Sequence, residues 1–445
     1  MRRHLLCLLL LFSVAASAQQ APVALEGTLV TPQDVIPHGI VLMQNGKITA
    51  SGVGVKVPTG TKVAHMEGVI APGFIDLHNH LTYNVFPRWK PIEEFGSRYD
   101  WQQKPVYNVL LSAPYAGMVK LGMACDMERY AEIKAITEGE TSLVGGLQQS
   151  CSNGLARNLD YDPELGASTG KIIYNVFPFQ MSEQQLAEAK TALGATPRGS
   201  LLIHVAEGGP NDASASREFT MLKGRGLLLP GVSVIHGVGI KPENFVEMAK
   251  AGVGFVWSPR SNIELYGDTA RVAAAKAAGV QMAIAPDWSP TGSDGTLGEL
   301  NYASRWNQGQ APPPTPPLLT ERDLVLMATA TPAAMVNLSG QVGSLAAGNA
   351  ADLIVVRQSG DDAYWSLTHT APQDLELVVI GGQAIYGDAV LMKQMGVTHG
   401  EDFELCGTKK TIVLTGTSLA DTEKALSHAM NQFGRTLAPL SECGN

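Results

Sequence analysis

Three observations predict an α/β fold, a (β/α)8 barrel with a small β-sandwich domain built from the N- and C-terminal segments. The middle of the chain repeats one unit, a short apolar run with a polar end followed by a helical stretch. Eight such runs can be counted. β-rich segments with turn residues flank this middle on both sides. Strands that alternate with helices favour a parallel sheet wrapped by helices, and eight of them suit a closed barrel.

The elements follow in chain order. Met1-Arg2-Arg3 and the run LLCLLLLFSVAA precede Ala16-Ser17-Ala18, the pattern of a cleaved export signal over residues 1–18. No later apolar run reaches the ~18 residues a membrane helix needs. The mature chain is therefore expected to be exported, periplasmic or extracellular, and free of the membrane. Residues 19–70 read as the first part of the sandwich. GTLVTP, HGIVLMQNGKITASG and KVAHMEGVIAPG have strand texture, and Asn45-Gly46 is a hairpin-turn pair.

Residues 71–340 hold the eight runs: GFIDLHNH, GMACDME, ETSLVGG, KIIYNVFPF, SLLIHVAEG, GVSVIHGVG, GVGFVWSP and VQMAIAPDW. Between them, SEQQLAEAKTALG and KPENFVEMAKAG read as amphipathic helices, the second with a Gly stop. Residues 341–395 return to β texture in GSLAAGNAADLIVVRQ and LELVVIGGQAIYGDAVL, the second part of the sandwich. Residues 396–445 are expected to pack as a C-terminal extension without chemistry of their own.

The 445 residues are 45% hydrophobic and 16% charged, which suits a folded core. A net charge of −9 without a basic run argues against nucleic acid, and leaves a small molecule as the expected partner. A homo-oligomer is compatible with the chain. Cys7 leaves with the signal, so Cys125, Cys151, Cys406 and Cys443 remain, an even number for an oxidising compartment. Cys125–Cys151 with Cys406–Cys443 is the simplest pairing, and buried free thiols are the alternative.

Polar residues at the ends of the runs carry the chemistry. In Phe74 to His80 side chains alternate across a strand, so His78 and His80 share a face. The fifth run adds His204, the sixth His236 and the eighth Asp287. Active sites of such barrels sit at the C-terminal strand ends. Imidazoles with one carboxylate suit zinc or a similar first-row ion, with a coordination position left open for water.

APGFIDLHNH, HVAEG, IHGVG, SPRSNIEL and IAPDWSPTGS, taken in order, resemble the amidohydrolase superfamily, in the branch of cytosine and guanine deaminases and triazine hydrolases. The resemblance implies one divalent ion, zinc first with iron(II) or manganese(II) as alternatives. His78, His80, His204 and Asp287 would hold it, with His236 beside the water or substrate. It also implies that Glu207 shuttles protons. Hydrolysis at a C–N carbon needs a base for the water proton and an acid for the departing amine, tasks that Glu207 and Asp287 can divide.

Two-metal members of the superfamily carry a carboxylated Lys at the end of the fourth strand. Lys171 opens KIIYNVFPF instead of closing it, so one ion is expected. Tyr83, Arg88 and Trp89 in the first loop, Arg157 in CSNGLARNLD, and Trp257 and Arg260 in WSPRSN are candidate substrate contacts. Ser261 and Asn262 are expected to brace their loop. The resulting expectation is an exported, deaminase-like hydrolase of non-peptide C–N bonds that uses metal-activated water. An amide or peptide hydrolase of the dipeptidase or N-acyl amino acid type is the alternative, and a non-catalytic scaffold the remote one.

Overall fold

The computed structural model describes residues 21–146, 151, 155–160, 165, 170–309 and 317–443. The signal expected over residues 1–18 lies outside the described residues. Four strands come from the N-terminal segment: β1 (Val23–Val30), β2 (Val35–Gln44), β3 (Lys47–Gly52) and β4 (Lys62–Pro72). Asn45 and Gly46 join β2 to β3 with φ of 52° and 74°, the backbone that a tight hairpin turn requires.

Eight short strands follow in the middle. They are β5 (Phe74–Asp76), β6 (Glu140–Leu143), β7 (Arg157–Asn158), β8 (Ile172–Asn175), β9 (Ser200–Val205), β10 (Val232–His236), β11 (Gly254–Trp257) and β12 (Met282–Ile284). They are hydrogen-bonded in parallel as β5-β6-β7 and β8-β9-β10-β11-β12. At the C-terminal rim the segments after β5 and β12 meet: Asp287 N donates to His78 O (3.1 Å) and His80 N to Asp287 O (3.0 Å).

Five further strands, β13 (Leu353–Val356), β14 (Leu375–Ile380), β15 (Gln383–Asp388), β16 (Glu401–Leu405) and β17 (Thr408–Ile412), join the N-terminal four. Where the sequence suggests a sandwich, one nine-stranded sheet forms, in the order β16-β17-β15-β14-β13-β4-β1-β2-β3. Its seam is the antiparallel pairing of β4 with β13, Val69 opposite Val356 and Pro72 opposite Leu353. Leu25, Val41, Ile70, Leu353 and Leu377 belong to one buried cluster of this sheet. The C-terminal extension contributes β16 and β17, and its helix Leu419–Asn431 packs on the helix Ala124–Thr137.

Two helices appear where the sequence places them. Glu183–Leu193 starts in a capping box of Ser182 and Gln185, and Pro242–Ala251 ends at Gly252 with φ 68°. One strand was misplaced. GMACDME is not the second strand but lies at the start of the helix Ala124–Thr137. Met127, Tyr130, Ala131 and Ile136 form its buried face, a helical spacing that a seven-residue window cannot show. ETSL is therefore the second strand, and the third is β7, with only two residues. Among the described residues the count of eight stands, and so does KIIYNVFPF as the fourth. The sulfurs of Cys125 and Cys151 are bonded, as are those of Cys406 and Cys443. Among the described residues no helix is long and apolar enough to cross a membrane.

Candidate metal centre

The first strand ends in a turn built by its own polar residues. Asp76 Oδ1 accepts the His78 N–H (2.8 Å) and Asp76 Oδ2 accepts Asn79 Nδ2 (2.6 Å). Asn79 Oδ1 in turn accepts Asn84 Nδ2 (2.9 Å). This local network turns His78 and His80 toward the ends of the other strands. His204 on β9 and His236 at the end of β10 face them, with ring centroids 4.7 and 4.6 Å from His78. Asp287, just past β12, brings Oδ1 to 3.2 Å from His78 Nε2 and 3.3 Å from His80 Nε2.

Two of these residues hold uncommon backbone. His236 and Asp287 have φ of 67° and 70°, as does Ala206 at 57°, in the left-handed region that non-glycine residues rarely enter. Such conformations cost about 1–3 kcal/mol each and persist where the surroundings over-determine them. The segment SPRSN supplies those surroundings. Ser258 Oγ lies 2.8 Å from His78 Nδ1, Ser261 Oγ donates to Asp287 Oδ2 (2.5 Å), and Asn262 Oδ1 is 2.9 Å from His236 Nδ1. The sequence placed Ser261 and Asn262 as braces of their own loop. They hold Asp287 and His236 instead.

The donor set fits a metal ion. Donor atoms of His78, His80 and His204 lie within 4.8 Å of one another, as do those of His78, His236 and Asp287 and those of His204, Glu207 and His236. His78 Nε2 is buried and makes no hydrogen bond, a state that a buried polar atom rarely keeps without another partner. Burial lowers the His78 imidazole to about 4, against the pull of Asp287, and pushes His204 well below its usual range. Both rings are then neutral, as ligation requires. Burial alone would raise the Asp287 carboxyl, but the imidazoles of His78 and His80 beside it hold it well below the carboxylate range.

Glu207 closes one side. Its Oε2 is 3.1 Å from His204 Nδ1 and 3.6 Å from His236 Nε2, and its Oε1 accepts the Tyr266 hydroxyl (2.9 Å). Arg98 Nη1 stands 3.6 Å away, shared with Glu218, whose Oε2 accepts the N–H of the strained Ala206 (2.7 Å). At the end of β8, Tyr174 places its hydroxyl 3.4 Å from His204 Nε2. Arg98, Tyr174, Glu218 and Tyr266 carry no local motif, and the sequence does not single them out.

Above the cluster lies a cavity of about 230 Å³, lined by His80, His204, Glu207, His236 and Asp287 at its floor. Tyr83, Trp101, Tyr107, Phe177 and Trp288 form its aromatic walls. A larger hollow of about 340 Å³ against the nine-stranded sheet has only His399 as a titratable residue in its lining, and lacks this convergence. Of the candidate substrate contacts, Tyr83 lines the cavity. Five others do not.

Arg88 donates to the carbonyls of Ser289, Thr291 and Gly292 and pairs with Glu264 and Glu442, so its charge is spent on the scaffold. Trp89 is buried behind the wall against Phe95, Trp101 and Tyr107. Arg157 sits on β7 itself and pairs with Asp352 (2.6 Å). Trp257 is buried, packed on Trp306 with its N–H on Thr269 Oγ1 (2.7 Å). Arg260 pairs with Glu442 (3.0 Å). Trp288 was the legible omission, since it follows Asp287 directly in APDW.

Residues 203–385 match the model of the amidohydrolase family. A 5-methylthioadenosine/S-adenosylhomocysteine deaminase of Caldicellulosiruptor saccharolyticus is 23% identical over 398 residues, 81% of this chain and 91% of that protein. An adenosine deaminase from Xanthomonas campestris with bound zinc superposes with a TM-score of 0.67 at 16% identity, covering 93% of this chain and 99% of the other. An E. coli guanine deaminase does so with a TM-score of 0.63 at 16% identity, covering 83% and 100%. Residues 203–385 thus carry an amidohydrolase domain, the segment that holds His204, Glu207, His236 and Asp287, and the relatives the chain resembles are deaminase-like hydrolases of C–N bonds.

Proposed function

We propose that this chain is an exported, mononuclear aminohydrolase that removes the exocyclic amine of a flat nitrogen heterocycle. The position of Glu207 carries the reading: a buried carboxylate beside His204 and His236 that also faces an aromatic cavity. His78, His80, His204 and Asp287 would hold the ion, zinc first. When bound, a divalent ion supplies a water whose pKa falls to about 7. Relatives named as adenosine-type deaminases support the C–N chemistry and a purine-like ring.

The residues divide the work. Aromatic walls bury the faces of a planar ring and exclude bulk water, as Tyr and Trp surfaces do well. Glu207 Oε2 takes one proton from the attacking water and passes it to the ring nitrogen, then takes the second from the added hydroxyl and gives it to the amine, which leaves as ammonia when the C–N bond breaks. Burial holds the Tyr266 phenol well above its ordinary range, so it donates to Glu207 Oε1 and keeps the carboxylate turned inward. His236, fixed by Asn262, can hydrogen-bond the oxygen that adds to the ring. Asp287 Oδ2, held by Ser261, orients the water from the other side.

One ion is favoured because the end of the fourth strand offers Tyr174 and Asn175, while Lys171 precedes it. That same feature weighs against the peptide-hydrolase alternative. The two parallel sheets and the bonds between the segments after β5 and β12 support one closed (β/α)8 barrel over residues 71–340, with the β-domain drawn from 19–70 and 341–395. Export rests on the signal pattern of residues 1–18.

The test is ammonia release from a panel of aminated purines, pyrimidines and their nucleosides by the metal-loaded protein. Glu207→Gln should keep the metal and lose about 10²–10⁴-fold in turnover, the usual contribution of a placed acid–base group. Full activity in that variant would remove Glu207 from the mechanism.

A further inference from the structure

After the helix Leu419–Asn431 the chain runs back to the loops around the metal centre. Ala438 N donates to Val85 O (2.9 Å), and Ala438 O accepts the Tyr130 hydroxyl (2.6 Å). Pro439 O accepts Lys134 Nζ (3.0 Å), and Ser441 Oγ donates to the buried Glu138 (2.9 Å). Glu442 N donates to Asp294 Oδ2 (2.6 Å), and Cys443 is bonded to Cys406 between β16 and β17. Residues 438–443 are thus tied along their length and at their end.

Glu442 holds the functional part of this strap. Its carboxylate pairs with Arg260 Nη2 (3.0 Å) and Arg88 Nε (3.4 Å), which belong to different loops. Arg88 follows His80 and the short 3-10 turn Leu81–Val85, and its guanidinium also gathers the carbonyls of Ser289, Thr291 and Gly292, just past Asp287 and Trp288. Arg260 lies between Ser258, which meets His78, and Ser261, which meets Asp287. Without the shared carboxylate, Arg88 would keep Glu264 but lose its link to Arg260. The sequence gives the tail no motif, and its reading as inert packing misses this contact.

We propose that residues 438–443 are a working part of the site, with Glu442 a positioning residue that ties together the loops after β5, β11 and β12. The inference rests on the reading of the histidine cluster as the functional centre, but its test needs no turnover. The full chain is compared by hydrogen–deuterium exchange with Glu442→Gln and with the double variant Cys406→Ser/Cys443→Ser. Losing these partly buried charge-assisted pairs should speed exchange about tenfold in peptides covering 84–90, 258–264 and 288–294, with the nine-stranded sheet unchanged.

Metal release to a competing chelator should also quicken several-fold in Glu442→Gln, a readout that a merely structural tail would leave unmoved. Unchanged exchange at the three loops in both variants overturns the proposal. So does acceleration spread evenly over the chain, or faster exchange with an unaltered metal release rate. If the wild-type protein binds no metal, the functional reading fails on its own, while loop exchange that still depends on Glu442 supports the strap.

Discussion

Removing the Ser261 hydroxyl should weaken the metal centre without touching a ligand. Ser261 Oγ is fully buried, donates to Asp287 Oδ2 at 2.5 Å and lies 2.9 Å from Thr291 Oγ1. Thr291 keeps the Trp288 indole N–H as a partner (2.5 Å), so Ser261→Ala leaves the Asp287 oxygen as the group that loses most. Hydrogen bonds to charged groups contribute ~1.5–3 kcal/mol. At ~1.4 kcal/mol per decade this bounds the effect at roughly 10- to 150-fold in affinity. Part of the bond is lost in the metal-free state too, so the lower end is expected, about tenfold. Competition with a chromophoric chelator measures it. An affinity within about twofold of wild type would refute the claim that Ser261 sets the Asp287 carboxylate.

Other perturbations address the scaffold. Gly145 has φ 93°, and a Cβ there would meet the Asn79 carbonyl oxygen at 2.3 Å. Gly145→Ala should therefore lower stability by about 1–3 kcal/mol and loosen the turn between His78 and His80, read by thermal denaturation and metal affinity. Unchanged values would mean that the two segments separate freely. Glu132 is raised from an ordinary 4.5 to about 8 by burial, with Glu128 adding to it. A carboxyl raised on folding gives stability that is complete below pH 4.5 and lost as pH rises through about 8. Between those values Glu132→Gln should remove a slope of up to ~1.4 kcal/mol per pH unit, seen in urea midpoints. Parallel pH profiles for the two proteins would contradict the assignment.

The residues of the cluster were legible because each is a local event. A short apolar run ends in a polar residue, and strand ends of a parallel fold gather at one rim, so His78, His80, His204, His236 and Asp287 needed no three-dimensional knowledge. The braces were not legible in that way. Ser258 reaches His78 across 180 positions of sequence, and Arg98 meets Glu207 and Glu218 from a segment without periodicity. Long side chains misled for the same reason. Arg88, Arg157 and Arg260 could be placed near the rim, but whether a guanidinium faces a cavity or a carboxylate such as Glu442 or Asp352 depends on distant partners. The two-residue β7 is below what any hydrophobic pattern can signal, and that brevity also displaced the second strand into a helix.

The proposed mechanism turns on a single catalytic ion held by the histidine cluster. It is tested most directly by elemental analysis of protein purified without chelator and with zinc, iron and manganese supplied. About one ion per chain is expected, lost together with activity in His78→Ala and Asp287→Ala. About two ions per chain would contradict it, placing a bridging group near Tyr174 and turning the substrate search toward N-acyl amino acids and dipeptides.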